Sequence, residues 1–248
     1  MTLLCIVGED EGHYTAVTRL VDDTLVEQVD WLDGILHSCR TWQGRHAEER
    51  WYKYDPKDAN DVRPIDLGGG GRIKVHGHID GQPLKPEAGM WRRALMILCH
   101  ADPRPDVVVL VRDMDGYHDR ERYDGLKQVR SESLSWPFEV VVAAPEPEIE
   151  AWLVAGFVPK DAREIATLAS ITKQLSFDPT KESQLLTSQP NDAASDAKRV
   201  LARLCGNDRE REESCLADRG LLRTRVTRVG QFLDEVEKRI VPKFAKAS

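Results

Sequence analysis

Five consecutive aliphatic residues, Val107, Val108, Val109, Leu110 and Val111, constrain this chain more than any other stretch. Four of the five are β-branched and none is polar, so a strand here requires burial on both faces, the condition of an inner strand of a parallel sheet. The run ends in Arg112-Asp113-Met114-Asp115-Gly116, two acids separated by one residue and followed by glycine. Carboxylates at the end of such a strand project into the crevice where open α/β sheets bind ligands. Held close together they repel each other unless a cation or a shared proton relieves them. A hard, oxygen-preferring ion such as Mg²⁺ suits that role. The same pair also suits a turn or the cap of a following helix, and the D-x-D alone does not separate the two readings.

Two more stretches repeat the pattern. Residues 3–7 are apolar and lead into Gly8-Glu9-Asp10-Glu11-Gly12-His13-Tyr14, then a helical spacing through Val17, Leu20 and Val21. This is the first half of a βα unit, with Glu9 at the carboxyl end of its strand. Residues 138–144 form another inner strand that runs into Pro145-Glu146-Pro147-Glu148-Ile149-Glu150 and an apolar helical face beginning Ala151-Trp152-Leu153. In a parallel sheet all three acid groups fall on one edge. The candidate metal ligands are therefore Glu9, Asp113, Asp115, Glu148 and Glu150, with Glu9, Asp113 and Asp115 expected to be catalytic. The competing reading is that Glu9, Asp10 and Glu11 simply favour the positive end of the helix that follows.

With 248 residues the chain has room for an α/β domain over residues 1–158 and a helical C-terminal region over 159–248 packed on it. Residues 30–81 form an expected insertion after the first βα unit. There Trp31, Trp42, Trp51, Tyr52 and Tyr54 alternate with Arg40, Arg45, Arg50 and Lys53. Such interleaving suits either tryptophans packed on the core or bases stacked on aromatic rings. Gly68 to Gly71 lack phosphate-loop spacing and predict a turn. Residues 72–79 alternate as a strand that would put His76 and His78 on one face. Helices are expected over 86–100, 119–129, 193–205 and 230–240. Lys198, Arg223, Arg225 and Arg228 in the C-terminal region belong either to helices covering the sheet or to phosphate contacts.

A net charge of −7 argues against a protein that coats nucleic acid through bulk charge, though not against one with a local arginine patch. Cys5, Cys39, Cys99, Cys205 and Cys215 are odd in number and without C-x-x-C spacing, which predicts reduced thiols rather than a zinc site or a disulfide framework. No stretch has the length of a signal peptide or membrane span, so a cytoplasmic protein without a membrane partner is expected.

Glu9 after the first strand and Asp113-x-Asp115 after a later one make the chain resemble Toprim domains of primases, topoisomerases and OLD-family nucleases. More closely it resembles bacterial Toprim-like proteins marked by a G-E-x-x-x-D turn, a D-x-D-G strand end and an E-x-E-A-W-L helix start. Gly8-Glu9, Asp113-Met114-Asp115-Gly116 and Glu148-Ile149-Glu150-Ala151-Trp152-Leu153 carry the match, and Asp178-Pro179-Thr180-Lys181 and Lys198-Arg199 are similar to that group's helical tail. His13 departs from the pattern, standing where the turn often has an acid. The resemblance implies a Toprim-like, mostly parallel sheet flanked by helices. It further implies a Mg²⁺- or Mn²⁺-dependent nuclease acting on nucleic acid, DNA in the first instance, with an ATPase as partner in defence against phage. Two rivals remain: a non-cleaving subunit that binds nucleic acid or a partner, and a phosphatase of the haloacid-dehalogenase type using Asp113 as nucleophile. For the latter, the motif is displaced from the first strand, and Tyr117 stands where Thr or Val is expected.

Overall fold

The computed structural model describes residues 1–46, 48–53, 65–66, 72–73, 77–115, 119–132, 135–188, 193–225 and 227–245. Strand β1 (Thr2–Gly8) is followed by helix α1 (Glu11–Gln28) and the short α2 (Leu36–Cys39), then β2 (Arg40–Gln43) and β3 (Tyr52–Lys53). Two small antiparallel pairs come next, β4 (Ile65–Asp66) with β5 (Arg72–Ile73) and β6 (His78–Ile79) with β7 (Gln82–Pro83). Helix α3 (Ala88–Cys99), β8 (Val107–Val111), α4 (Asp119–Arg130) and β9 (Glu139–Ala143) complete the α/β part. The remaining helices are α5 (Ile149–Ala155), α6 (Ala162–Leu175), α7 (Ala197–Cys205), α8 (Arg209–Ser214), α9 (Arg219–Arg225), α10 (Thr227–Arg239) and α11 (Val241–Ala245).

The main sheet runs β2-β1-β8-β9, with β3 also paired to β1, and every one of these pairings is parallel. The expected mixed α/β architecture with a mostly parallel sheet is therefore what the chain forms. All five residues of β8 are completely buried. Each fully buried Val or Leu contributes about 1.5–3 kcal/mol relative to exposure, which is why this apolar run occupies the middle of the sheet.

Strand alternation divides the interior in two. Leu4 and Ile6 of β1, with Val107, Val109 and Val111 of β8, pack against α1, α5 and α10. Cys5 and Val7, with Val108 and Leu110, pack against α3 and α4. The C-terminal region does more than cover the sheet. Phe232, Leu233 and Val236 of α10 complete the first face, while α7 and Ile171 of α6 build a third cluster on Val154 and Phe157.

The predicted insertion needs correction at its start. Arg40–Gln43 and Tyr52–Lys53 belong to the main sheet, in register with Thr2–Cys5 and Val7–Gly8. Trp42 and Tyr52 are buried and Trp51 packs on the first core, so these aromatics serve the interior. Trp31 is exposed. Of the strand expected over 72–79, Arg72–Ile73 pairs antiparallel with Ile65–Asp66 and His78–Ile79 with Gln82–Pro83; His76 lies outside the described residues, as do Tyr54, Gly68 to Gly71, Gly116 and Tyr117.

Close approach, rather than turn geometry, explains one glycine. A Cβ on Gly156, just after α5, would lie 1.8 Å from the backbone oxygen of Cys215. Relieving that overlap requires α5 and the segment after α8 to separate. Gly156→Ala should therefore destabilise the fold by about 1–3 kcal/mol. Urea unfolding checks this, and an unchanged midpoint would show that the two segments are not pressed together.

Candidate metal centre

The parallel pairing brings three strand ends side by side. Val7 is in register with Leu110, and Val111 with Ala143. The ladder continues past β8, because the Arg112 N–H donates to Ala143 O (3.1 Å) and the Met114 N–H to Pro145 O (2.8 Å). Asp113 is thus held on a backbone that is still strand-like, between the ends of β1 and β9.

The five expected ligands are not brought to one place. Alternation points Asp113 toward the face shared by Val109 and Val111, whereas Glu9 follows Val7 toward the other face and meets Arg112. Arg112 also donates two hydrogen bonds to Glu87, both 3.0 Å. Arg122 on α4 pairs with Glu87 (3.1 Å) and with Asp115 (2.7 Å). Glu9, Glu87, Asp115, Arg112 and Arg122 therefore form one ion-pair network. Burial alone would lower the Arg112 pKa, but Glu87, Glu9 and Asp115 together raise it, so the guanidinium stays charged. Glu9 and Asp115 are thus engaged with guanidinium groups rather than beside Asp113. Strand parity separates Glu9, and Asp115 lies beyond the regular strand where Arg122 captures it.

Asp113, Glu148 and Glu150 form the second group. Glu148 precedes α5 and is buried, and Glu150 lies in its first turn. Lys198, near the start of α7, places Nζ 3.4 Å from Glu148 Oε2 and 3.9 Å from Glu150 Oε1. Burial raises the Glu148 pKa, aided by the charge of Asp113 and opposed by Lys198. Burial and then Glu148 push Glu150 up to about 7, with Lys198 again opposing. The two carboxylates raise the Lys198 pKa against the effect of burial.

His13 closes the group from α1. Asp10 caps that helix, accepting from the His13 N–H at 3.0 Å, and the Glu9 N–H donates to His13 Nδ1 at 3.3 Å. The neutral ring therefore carries its hydrogen on Nε2, which lies 2.9 Å from Asp113 Oδ1 but out of line for a good hydrogen bond. Burial favours the neutral imidazole, yet Asp113, Asp10 and Glu9 outweigh it and raise the pKa. His13 is wholly buried, so its role at this turn is to back Asp113 rather than to face solvent.

Glu148 Oε1 and Glu150 Oε2 are buried oxygens without hydrogen-bond partners, and the buried Asp113 Oδ1 has the His13 ring beside it. Orphaned carboxylate oxygens are costly, and hard cations prefer oxygen donors, so this set fits Mg²⁺ or Mn²⁺ in chemistry. Among the described residues, no three His, Cys, Asp or Glu side chains are already drawn together as a metal-holding group. Side-chain movement would be needed to close them on an ion.

The basic residues of the tail are engaged within the chain. Arg223 pairs with Asp234 and Glu237, Arg228 with Glu146, and Arg225 donates to the carbonyls of Ala155 and Phe157 at the end of α5. Lys198 alone of the four faces the acidic group. The sequence offered Lys198 as a candidate phosphate contact, but no spacing rule could place it beside Glu148 and Glu150. Glu87 had no signal at all; it stands at the head of α3 with a left-handed backbone, φ 60°.

The raised Glu150 pKa fixes a sign. The folded chain holds a proton that the unfolded chain releases near 4.5, so stability falls as pH rises from about 4.5 to about 7. In chelator, Glu150→Gln should remove that decline and be more stable than the parent at pH 8 by about 1–3 kcal/mol, with little difference at pH 4. Urea titrations at the two pH values measure it, and parallel behaviour of the two proteins would contradict it.

The chain matches no protein-family model, no curated protein and no solved structure, so its site must be interpreted from its own residues.

Proposed function

We propose that the chain is a Mg²⁺- or Mn²⁺-dependent nuclease whose metal is held by Asp113, Glu148 and Glu150. The observation that carries this reading is a pair of buried carboxylate oxygens without hydrogen-bond partners, Glu148 Oε1 and Glu150 Oε2, grouped with the His13-backed Asp113 at the carboxyl edge of a parallel sheet, with one ammonium beside them. When bound, the ion supplies Lewis-acid charge for phosphodiester hydrolysis and acidifies water. Asp113 provides the ligand on the most rigid backbone, extending β8. Glu148 and Glu150 provide ligands on the opposite wall. His13 holds the Asp113 carboxylate from behind. Lys198, half exposed, is placed to meet the anionic phosphate of a nucleic-acid strand entering over the acids. The Toprim resemblance supports the same reaction class and, with it, DNA as substrate and an ATPase partner.

One observation favours a second reading. Glu9 and Asp115, which such a nuclease would be expected to use, are held by Arg112 and Arg122. A non-cleaving Toprim-like subunit that binds nucleic acid or a partner is consistent with that arrangement.

The test is cleavage of labelled DNA and RNA with Mg²⁺ or Mn²⁺, alone and with any ATPase encoded beside it. Metal-dependent cleavage that is abolished in Asp113→Asn and in Glu148→Gln is the expected result. His13→Ala should weaken metal binding by about 10–100-fold, the usual consequence of losing a residue that orients a ligand, and calorimetric titration with Mn²⁺ reads it. Binding of nucleic acid without cleavage under either metal would favour the second reading. Cleavage unaffected by Asp113→Asn would overturn the site. Turnover of a small phosphomonoester with a trapped aspartyl-phosphate would replace both readings with a phosphatase.

A further inference from the structure

Away from the acidic group, α7 ends at Cys205 and α8 is followed directly by Cys215. Their sulfurs lie 3.9 Å apart inside the third core cluster, among Val154, Phe157 and Leu204. Both side chains are buried, so the thiols meet each other rather than solvent. Closing the gap to a disulfide of about 2.05 Å requires each sulfur to move roughly 1 Å, within the reach of a χ1 adjustment.

The surroundings are not those of two inert core cysteines. Arg211 places Nη1 3.8 Å from Cys215 Sγ. Its guanidinium is fixed by Glu164 (2.8 and 2.9 Å), by the carbonyl of Val158 (2.7 Å) and by the ring of Phe157 (4.4 Å to the centroid). A cation held that firmly beside a sulfur favours its thiolate, the nucleophilic form. The contact with the Cys205 sulfur and then Arg211 lower the Cys215 pKa against burial, whereas Cys205 itself is raised; as a thiol, Cys215 donates to the Arg211 carbonyl at 3.4 Å. The asymmetry assigns Cys215 as attacking sulfur and Cys205 as resolving sulfur.

We propose that Cys205 and Cys215 form a reversible redox pair that a hydroperoxide converts to an intrachain disulfide. The Cys215 thiolate attacks one peroxide oxygen, the O–O bond breaks, and the alcohol or water formed leaves with a proton. The resulting Cys215 sulfenic acid is attacked by Cys205. The S–S bond forms, the S–O bond breaks, and the Cys205 proton departs with that oxygen as water. Two thiols lose two electrons and the peroxide gains them.

The position of the pair gives the bond a mechanical consequence. Helix α7 carries Lys198 near its other end, and the backbone of Cys215 is pressed against Gly156, just past the far end of α5, whose first turn carries Glu150. A bond between Cys205 and Cys215 therefore ties the distal ends of the two helices whose proximal ends meet at Lys198, Glu148 and Glu150. This inference concerns the thiols alone and does not depend on the nuclease reading.

The experiment uses the full chain, reduced, freed of reductant and exposed to graded hydrogen peroxide, then alkylated and analysed by intact mass and peptide mapping. The expected product is 2 Da lighter before alkylation and contains a Cys205–Cys215 peptide. Cys5, Cys39 and Cys99 remain alkylated, and dithiothreitol reverses the change. The oxidised parent should melt several degrees higher than the reduced protein, a shift absent from Cys205→Ser and Cys215→Ser. In Cys205→Ser, Cys215 should accumulate as sulfenic acid that a dimedone probe labels. The proposal is overturned if both thiols stay alkylatable at doses that oxidise the partly exposed Cys39. It is equally overturned if the bridge forms only in denaturant, or if either sulfur pairs with another cysteine. Because the peptide map is read on the parent protein, poor folding of a serine variant leaves the test intact.

Discussion

The parallel pairing of β8 with β1 on one side and β9 on the other is the constraint on which the site depends. It fixes which strand ends are neighbours, and through the pleat it fixes which face each side chain enters. Five fully buried aliphatics leave β8 almost no freedom to slip, since a shift of one residue would turn Arg112 into the face that now receives Asp113. The position of Asp113 is therefore set by burial energy collected elsewhere in the strand.

The same alternation explains how much of the site could be seen in the sequence. Strand β8 is legible residue for residue, because no other element tolerates five aliphatics ending in acids. Strands β1 and β9 are legible to within a residue or two at their ends, and the common edge for their acids follows from the parallel arrangement. Parity was also available: Glu9 is two residues after Val7, Asp113 is two after Val111, and these valines occupy opposite faces. What could not be read was the register between strands, and parity becomes informative only once Val7 is known to lie beside Leu110. Glu87, and the meeting of Lys198 with Glu148 and Glu150, were beyond reach for a different reason. Each depends on a helix whose docking is set by side-chain packing rather than by local spacing. The stretch after residue 30 was misjudged because two short, polar strands at a sheet edge have no periodicity to distinguish them from a loop.

The two charge networks at the sheet edge differ in balance, and the difference is physical rather than nominal. On one side Glu9, Glu87 and Asp115 face two guanidinium groups, each of which forms more than one ion pair. Planar guanidinium groups suit such shared contacts, and they stay ionised when partly buried. On the other side three carboxylates share one ammonium, and the imidazole beneath them contributes a full charge only when protonated. Lys198 is more than half exposed, so solvent screens much of what it offers Glu148 and Glu150.

Uncompensated negative charge in a partly buried group has few outlets: protonation, a mobile cation from the chain, or a cation from solution. The raised pKa values of Glu148 and Glu150 are the first outlet, and the raised Lys198 pKa is the second. Neither is complete, because Glu148 Oε1 and Glu150 Oε2 still lack hydrogen-bond partners. The two aspartates look equivalent in the D-x-D, yet Asp115 is met by the Arg122 guanidinium, whereas Asp113 is met by an imidazole that is charged only when protonated and stands with Glu148 and Glu150, which share one half-exposed ammonium.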